Sequence, residues 1–338
     1  MGCIQTKQTY LFLTDNDDII LEKEKIFIRN DEEITKIKKT PTSYLTNVII
    51  LNEKVPMFVK QFFEMVNNRD YNDCEYHENK DIFYFSDFVY TIEFTKKRYI
   101  DRRKKLFKRI RKMKHSDKVV IPDCIFYIPI VDHKGIIIQK MEHCKGGDMF
   151  DFMFDPLKQH NNIDKIVYDL SSTLMELHEN DIFLNDIKLE NIFVSSQFKF
   201  ADIEDAFIDQ PFMNDDDYRD KEKRLNFLAK NKTRWVRTRR YLPDPQYPLT
   251  REIAIRNDIY AFITTIGLYI SKKVYNKEPT IFSGKKLPKD CMYEMKHKLH
   301  HMLNDAYVDL AVEYTIEYNR INTSVLVELQ DIAQINIV

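Results

Sequence analysis

Three polar side chains in one short stretch could carry phosphoryl-transfer chemistry. Asp186, Lys188 and Asn191 stand at positions i, i+2 and i+5 of the segment IFLNDIKLENIFV, residues 182–194. A carboxylate can hold an attacking hydroxyl, an amine can neutralise charge on a moving phosphate, and an amide oxygen can coordinate Mg²⁺. Apolar triplets on both sides predict two short strands with the polar residues in the loop between them.

A fourth polar residue follows the next apolar segment. The sequence Phe198–Ala201 predicts a strand, and Asp202 comes directly after it.

Two helices and one turn are expected to position this loop. An amphipathic helix is predicted over 163–180, because Ile166, Leu170, Leu174 and Leu177 recur at three- and four-residue steps. Upstream, the segment MEHCKGGDMF, residues 141–150, predicts a strand end, a Gly-Gly break and a helix start.

Composition limits the class of protein. With 338 residues, 43% hydrophobic and 31% charged, the chain is expected to be globular, soluble and cytoplasmic. A net charge of −1 predicts no specific nucleic-acid partner. The five cysteines show no disulfide-like spacing, and the longest apolar run, 259–270, is too short to span a bilayer.

Taken in order, these segments resemble the eukaryotic-type protein kinase superfamily over Gly135–Arg320. The loop is similar to the kinase catalytic loop H-R-D-L-x-x-x-N, with Leu184 and Asn185 in place of His and Arg. Asp202 stands at the D-F-G aspartate, here followed by Ile and Glu. The resemblance implies ATP and Mg²⁺ as cofactors, Asp186 and Lys188 as catalytic residues, and Asn191 and Asp202 as metal ligands.

The segment 141–150 resembles the kinase hinge. This resemblance implies that Met141 is the gatekeeper, that Glu142 and Cys144 make backbone contacts with adenine, and that Asp148 lies near the ribose.

Three structural residues are also implied. Thr238–Gln246 is similar to the G-T-x-x-Y-x-A-P-E region, with Gln246 in place of Glu. Asp258 would tie down the backbone of the catalytic loop, and Arg320 would pair with Gln246 through a hydrogen bond rather than an ion pair.

The resemblance implies an α+β, bilobal, protein-kinase-like fold with a small β-rich N-lobe and a larger helical C-lobe. The expected segments are a possible lipidated tail at 1–8, an N-lobe at 9–140 that includes a basic helix at 98–114, and a C-lobe at 141–338 with the catalytic loop at 182–194 and an activation segment at 202–246.

The N-lobe departs from the kinase pattern. The sequence has no G-x-G-x-x-G, and no glycine at all between Gly2 and Gly135. The strand lysine that grips the nucleotide phosphates has two candidate positions. Lys60, in VPMFVKQF, looks like the V-A-I-K strand, with Glu78 as its helix partner.

The second candidate position is Glu93, 48 residues before Met141 and 93 before Asp186. A kinase strand lysine usually keeps these intervals, so they favour Glu93 as its position. The position of the kinase strand lysine would then hold a glutamate. This glutamate would face a helix, with Arg111 or Lys112 as its predicted partner. Such a charge-reversed pair would still bridge strand to helix, but a carboxylate would repel phosphates.

Two functions follow from the resemblance. One is an active serine/threonine kinase with a protein substrate, indicated by Lys188 within D-x-K-x-x-N. This loop sequence is also similar to that of kinases from large DNA viruses. The alternative is a pseudokinase scaffold or decoy that binds a partner kinase or substrate. A small-molecule phosphotransferase is disfavoured, because such relatives usually lack a lysine at position 188.

The N-terminus and the basic helix indicate a membrane surface as a further partner. Met1–Thr6 fits the N-myristoylation pattern, with Gly2 as the acceptor and Cys3 available for palmitate. The basic helix predicted at 98–114 could contact phosphate or acidic lipid.

Overall fold

The structure is a computed structural model that describes most of the chain after residue 81 and short segments before it. The described ranges are 11–13, 18–22, 25–30, 33–37, 48–50, 57, 61, 75–77, 82–85, 87–129, 134–155, 163–209, 212–231, 241, 250–277, 289–303 and 305–337. Gly2, Cys3, Lys60, Glu78 and Gln246 lie outside these ranges, so their roles stay predictions.

The described chain has an α+β fold, as the sequence predicts. It forms two compact units, one of residues 1–105 and 121–143 and the other of residues 106–120 and 144–338. The first unit contains an antiparallel five-stranded sheet, and the second is mostly helical.

The early part of the first unit contains two small sheets. Strands β2, β3 and β4 form an antiparallel meander, whereas β1 and β5 pair in parallel. Their bounds are Leu11–Leu13 for β1, Asp18–Glu22 for β2, Lys25–Asn30 for β3, Glu33–Ile37 for β4 and Val48–Ile50 for β5. The alternation of apolar and polar residues over 9–63 predicts a small antiparallel sheet. The parallel pair of β1 and β5 differs from this prediction, because alternation indicates a strand but not its direction.

The main sheet of the first unit has the order β6-β7-β8-β10-β9, with every neighbouring pair antiparallel. The bounds are Glu75–His77 for β6, Ile82–Tyr84 for β7, Phe88–Lys96 for β8, Cys124–Pro129 for β9 and Lys134–Glu142 for β10. Three successive isoleucines of β10, at 136–138, are fully buried. Since successive side chains point to opposite faces, both faces of this strand are covered.

Helix α1, Lys97–Ile110, follows β8 without a break. The sequence predicts a helix that continues to residue 114, but α1 ends at Ile110. The backbone N–H groups of Lys112 and Met113 donate to carbonyls three residues back, which closes the last turn. Those of Lys114 and His115 then donate to the carboxylate of Glu176.

The described part of the second unit contains α2 to α9 and two small two-stranded sheets, in which β11 pairs with β14 and β12 with β13. The bounds are Met149–Phe154 for α2, Ile163–Glu179 for α3, Ile182–Phe183 for β11, Ile192–Val194 for β12, Phe198–Phe200 for β13, Phe207–Ile208 for β14, Asp215–Arg219 for α4, Lys221–Asn231 for α5, Arg251–Lys273 for α6, Lys289–Leu303 for α7, Ala306–Ile316 for α8 and Ser324–Ile337 for α9.

Helix α6 is the core of the second unit. Every residue from Asn257 to Ser271 is buried, so other elements cover the helix on all sides. Its apolar run is therefore part of a protein core. Within the described ranges, none of the helices is both long and apolar enough to cross a bilayer.

Two helices, α4 and α5, follow β14, although the sequence there indicates only a polar, charged stretch. Helices α4 and α5 each begin after a side chain that accepts hydrogen bonds from the backbone of the first turn. Asn214 accepts from the N–H of Asp217, and Asp220 accepts from the N–H groups of Glu222 and Lys223. These caps allow short, charged helices to form there.

Gly146 marks a close backbone approach just before α2. Its N–H donates to the carbonyl of Val194 at 2.8 Å, and a Cβ atom added to Gly146 would lie 2.6 Å from that oxygen. We expect Gly146→Ala to lower the free energy of unfolding by about 1–3 kcal/mol, because the backbone must move to accommodate the methyl group. Urea denaturation measures this loss. Ser195→Ala, a surface-side change next to Val194, serves as the control, and equal stability of the two variants would contradict the prediction.

Candidate active site

One small cavity in the second unit brings together three of the four polar residues predicted from the sequence. Asp186, Asn191 and Asp202 all line it. The rest of the lining is mainly apolar, contributed by Leu184, Ile187, Phe200, Ala201 and Ile203. Lys188 reaches the same cluster through its contact with Asp186.

The carboxylate of Asp186 is held by two neighbours. The Nζ atom of Lys188 donates to its Oδ2 at 2.6 Å, and the amide nitrogen of Asn191 donates to the same oxygen at 3.2 Å. The Asn191 amide nitrogen also donates to the Asp186 carbonyl at 2.9 Å. The aspartate and lysine side chains are 16% and 20% exposed, so solvent can reach a carboxylate whose orientation is already set.

Asn191 and Asp202 have the donor types that suit Mg²⁺. Both side-chain hydrogen bonds of Asn191 use the amide nitrogen, and the amide oxygen is the end of the side chain that can coordinate a cation. The described residues contain no cluster of three or more His, Cys, Asp or Glu that could enclose a metal. Mg²⁺ is usually held by one or two protein carboxylates together with water and substrate phosphates.

The backbone fixes the position of Asp202 relative to the loop. The N–H of Ala201 donates to the carbonyl of Asn191 at 2.8 Å, which ties the residue before Asp202 to the end of the loop. Asp202 is exposed and has a φ of 52°, a left-handed conformation that Asp adopts more readily than most residues.

The start of the loop is anchored to the core helix by Asp258. This residue of α6 is fully buried, and its two carboxylate oxygens accept hydrogen bonds from the N–H groups of Leu184 and Asn185 at 2.8 and 2.7 Å. The Nε2 atom of His178 lies 3.1 Å from the same carboxylate. A buried carboxylate is costly unless it is hydrogen-bonded, and here three donors or potential donors surround it.

Sequence reasoning missed the roles of His178 and Asn185. His178 is the contact between α3 and Asp258, and nothing in its position on an amphipathic helix signals that role. Asn185 is buried with a φ of 64°, and its side chain donates to the carbonyl of Phe183. Asn tolerates the left-handed region, so the residue type was the available signal.

The predicted nucleotide contacts are divided between the two units. In the first, Met141 and Glu142 end β10 and pair with Val89 and Phe88 of β8. In the second, Cys144 is buried and its carbonyl accepts from the N–H of Gly147. The roles of these three residues toward adenine stay predictions.

Asp148, predicted to lie near the ribose, caps helix α2. Its carboxylate accepts from the N–H of Asp151 at 2.8 Å. Burial raises the pKa of Asp148 above its usual range, and the hydrogen bond from Asp151 partly opposes this shift.

Glu93 lies on β8 opposite Ile137 and forms an ion pair with Arg103 of α1. The prediction that Arg111 or Lys112 is the partner of Glu93 is therefore wrong. Because α1 begins directly after β8 and ends at Ile110, these two residues lie beyond the helix, whereas Arg103 lies within its second turn. Arg103 is 13% exposed and Glu93 41%, so the pair is partly buried.

Arg320 forms an exposed ion pair with Glu313, with 3.2 Å between the nitrogen and the oxygen. Its predicted partner, Gln246, lies outside the described residues, and that hydrogen bond stays a prediction.

Comparison of the sequence with protein-family models gives no matching family, and comparison with curated proteins gives no match either.

Proposed function

We propose that this protein is a protein-kinase-like phosphotransferase that moves the γ-phosphate of ATP to a serine or threonine hydroxyl of a protein substrate. The observation that carries the proposal is the carboxylate of Asp186, oriented by Lys188 and Asn191 in a cavity shared with Asp202. A protein kinase needs the same set: a carboxylate for the hydroxyl, a cation for the phosphate and two oxygen ligands for Mg²⁺.

Each residue of the set has a defined task. Asp186 accepts the hydrogen bond of the attacking hydroxyl and later its proton, while Lys188 balances the charge on the transferred group. Asn191 and Asp202 hold Mg²⁺, which neutralises phosphate charge when it is bound. Asp258 fixes the backbone on the N-terminal side of Asp186, so the carboxylate is placed before substrate arrives.

The first unit supports the kinase-like reading in one respect. Kinases join a strand lysine to a helix glutamate, and here Glu93 of β8 is joined to Arg103 of α1. The strand-to-helix bridge is the same, with the two charges exchanged.

The exchanged charges favour a second candidate function, a scaffold that binds a partner kinase or substrate without phosphoryl transfer. A carboxylate at the strand position repels phosphates where a lysine would attract them. The sequence also lacks a G-x-G-x-x-G segment, whose backbone N–H groups would contact the phosphates.

A thermal-shift titration with Mg²⁺-ATP separates the two functions at the level of binding. A ligand at 100 times its Kd adds about 2.7 kcal/mol, which raises the Tm by several degrees. We expect such a shift with wild-type protein, and its loss with Asp202→Asn, because that change weakens the metal site. Asp205→Asn, a nearby exposed aspartate, is the matched control. A protein whose Tm does not respond to millimolar Mg²⁺-ATP would be the scaffold.

Reversing the Glu93–Arg103 pair tests the assignment of the strand position. Glu93→Lys alone places two cations together, and Arg103→Glu alone places two carboxylates together, so each is expected to lower stability by about 1 kcal/mol. The double variant restores an ion pair and places a lysine on the strand. We therefore expect its stability to recover and its ATP affinity to exceed that of wild type.

The Lys60 alternative gives the opposite pattern in the same titration. If Lys60→Met abolishes ATP binding while the reversed pair leaves it unchanged, Lys60 occupies the strand position and the Glu93 assignment is wrong.

A further inference from the structure

Helix α1 and the turn after it concentrate positive charge. Residues 97–114 contain eleven Lys and Arg and a single Asp, a net charge of +10. The whole chain has a net charge of −1, so the other 320 residues together carry −11. The positive charge is therefore local, and it lies within a chain that is otherwise acidic.

The exposed side chains of this segment form one basic surface. They are Arg98, Lys104, Lys105, Lys108, Arg111, Lys112 and Lys114, with Asp101 as the one acidic residue among them. At 3.6 residues per turn, the exposed positions of the helix, from 98 to 108, cover an arc of about 120°. Ile100, Leu106, Phe107 and Ile110 occupy the opposite, buried face.

We propose that this basic surface docks on a membrane that contains anionic lipid. Juxtamembrane lysines and arginines gain free energy from the negative potential of such a surface. The remainder of the chain, with its charge of −11, is repelled by the same potential, so the protein would bind in one orientation with α1 toward the lipid.

Two observations favour lipid over nucleic acid. Domains that bind nucleic acid by charge usually have a pI above about 9, whereas this chain has a pI of about 6.8. The segment Met1–Thr6 also matches the N-myristoylation pattern. One acyl chain binds membranes only marginally, and a polybasic patch is a second signal that makes the attachment stable. The basic surface can supply that second signal.

Vesicle cosedimentation tests the proposal. The full chain, produced without acylation, is mixed with vesicles of equal parts phosphatidylcholine and phosphatidylserine. The test variant replaces Lys104, Lys108 and Lys112 by Gln. The matched control replaces Lys221, Lys277 and Lys298 by Gln, which are exposed lysines outside the segment 97–114. Both variants remove three positive charges without changing a buried residue.

We expect the test variant to bind on the order of 100-fold more weakly than wild type, because each lysine near the lipid contributes about fivefold. The control should bind like wild type, and higher salt should weaken wild-type binding. Equal binding of the two variants would overturn the proposal. Wild-type retention on single-stranded RNA with none on the vesicles would overturn it in favour of nucleic acid.

The acylated protein provides a second test that does not depend on kinase activity. With both signals present, wild type should bind anionic vesicles more tightly than either Gly2→Ala, which keeps only the basic surface, or the acylated test variant, which keeps mainly the lipid. Release by Gly2→Ala together with full retention of the test variant would show that the lipid alone anchors the protein and would overturn the role of α1.

Discussion

Replacing Asp186 by Asn is expected to lower the rate of phosphoryl transfer by about 10²–10⁴-fold, the usual contribution of a positioned general base. Asn has nearly the shape of Asp, but it cannot accept the substrate proton. It also loses the charge-assisted contact with the Nζ atom of Lys188, now 2.6 Å from the carboxylate. The measurement is the initial rate of phosphate transfer from labelled ATP to a protein or to the chain itself.

The matched control for Asp186→Asn is Asp181→Asn. Asp181 lies five residues upstream, is exposed and has a φ of 53°, a conformation that Asn accepts well. The control should keep the wild-type rate. Mg²⁺-ATP binding by Asp186→Asn should also persist, because Asn191 and Asp202 are unchanged. A transfer rate equal to that of wild type would rule out Asp186 as the catalytic carboxylate.

Replacing Asp258 by Ala is expected to lower the free energy of unfolding by about 2–6 kcal/mol. The change leaves the buried N–H groups of Leu184 and Asn185 without an acceptor, at about 1–3 kcal/mol each. A small domain has only about 5–15 kcal/mol of stability, so the loss is a large share of the total. Urea denaturation measures it.

Two further substitutions make the Asp258 prediction specific. Asp258→Asn keeps one oxygen acceptor, so it should fold and lose an intermediate amount of stability, which keeps the test usable if the alanine variant fails to fold. Ser271→Ala changes another buried residue of α6, whose hydroxyl has no hydrogen-bond partner within the described ranges. The effect of Ser271→Ala on the free energy of unfolding should be close to zero. If Asp258→Asn lowers this free energy no more than Ser271→Ala does, Asp258 does not anchor the loop.

Periodicity and residue order were enough to predict much of the second unit. The three- and four-residue spacing of apolar residues predicted α3 to within one residue. This was possible because the apolar face of an amphipathic helix can be recognised from the local sequence alone. The order of Asp186, Lys188 and Asn191 between two apolar strands placed them in one loop for the same reason.

The sequence by itself therefore determined the α+β class, helix α3 and the residue types of the candidate site, since short-range patterns encode these features. Tertiary structure alone decided which distant groups meet. Asp258 binds a backbone 74 residues away, and Glu176 accepts from the N–H of Lys114, 62 residues away. Arg103, rather than Arg111, meets Glu93 because α1 begins directly after β8, so the second turn of the helix is the part that reaches the strand. No local pattern carries this information, because these contacts depend on how separate elements pack in space.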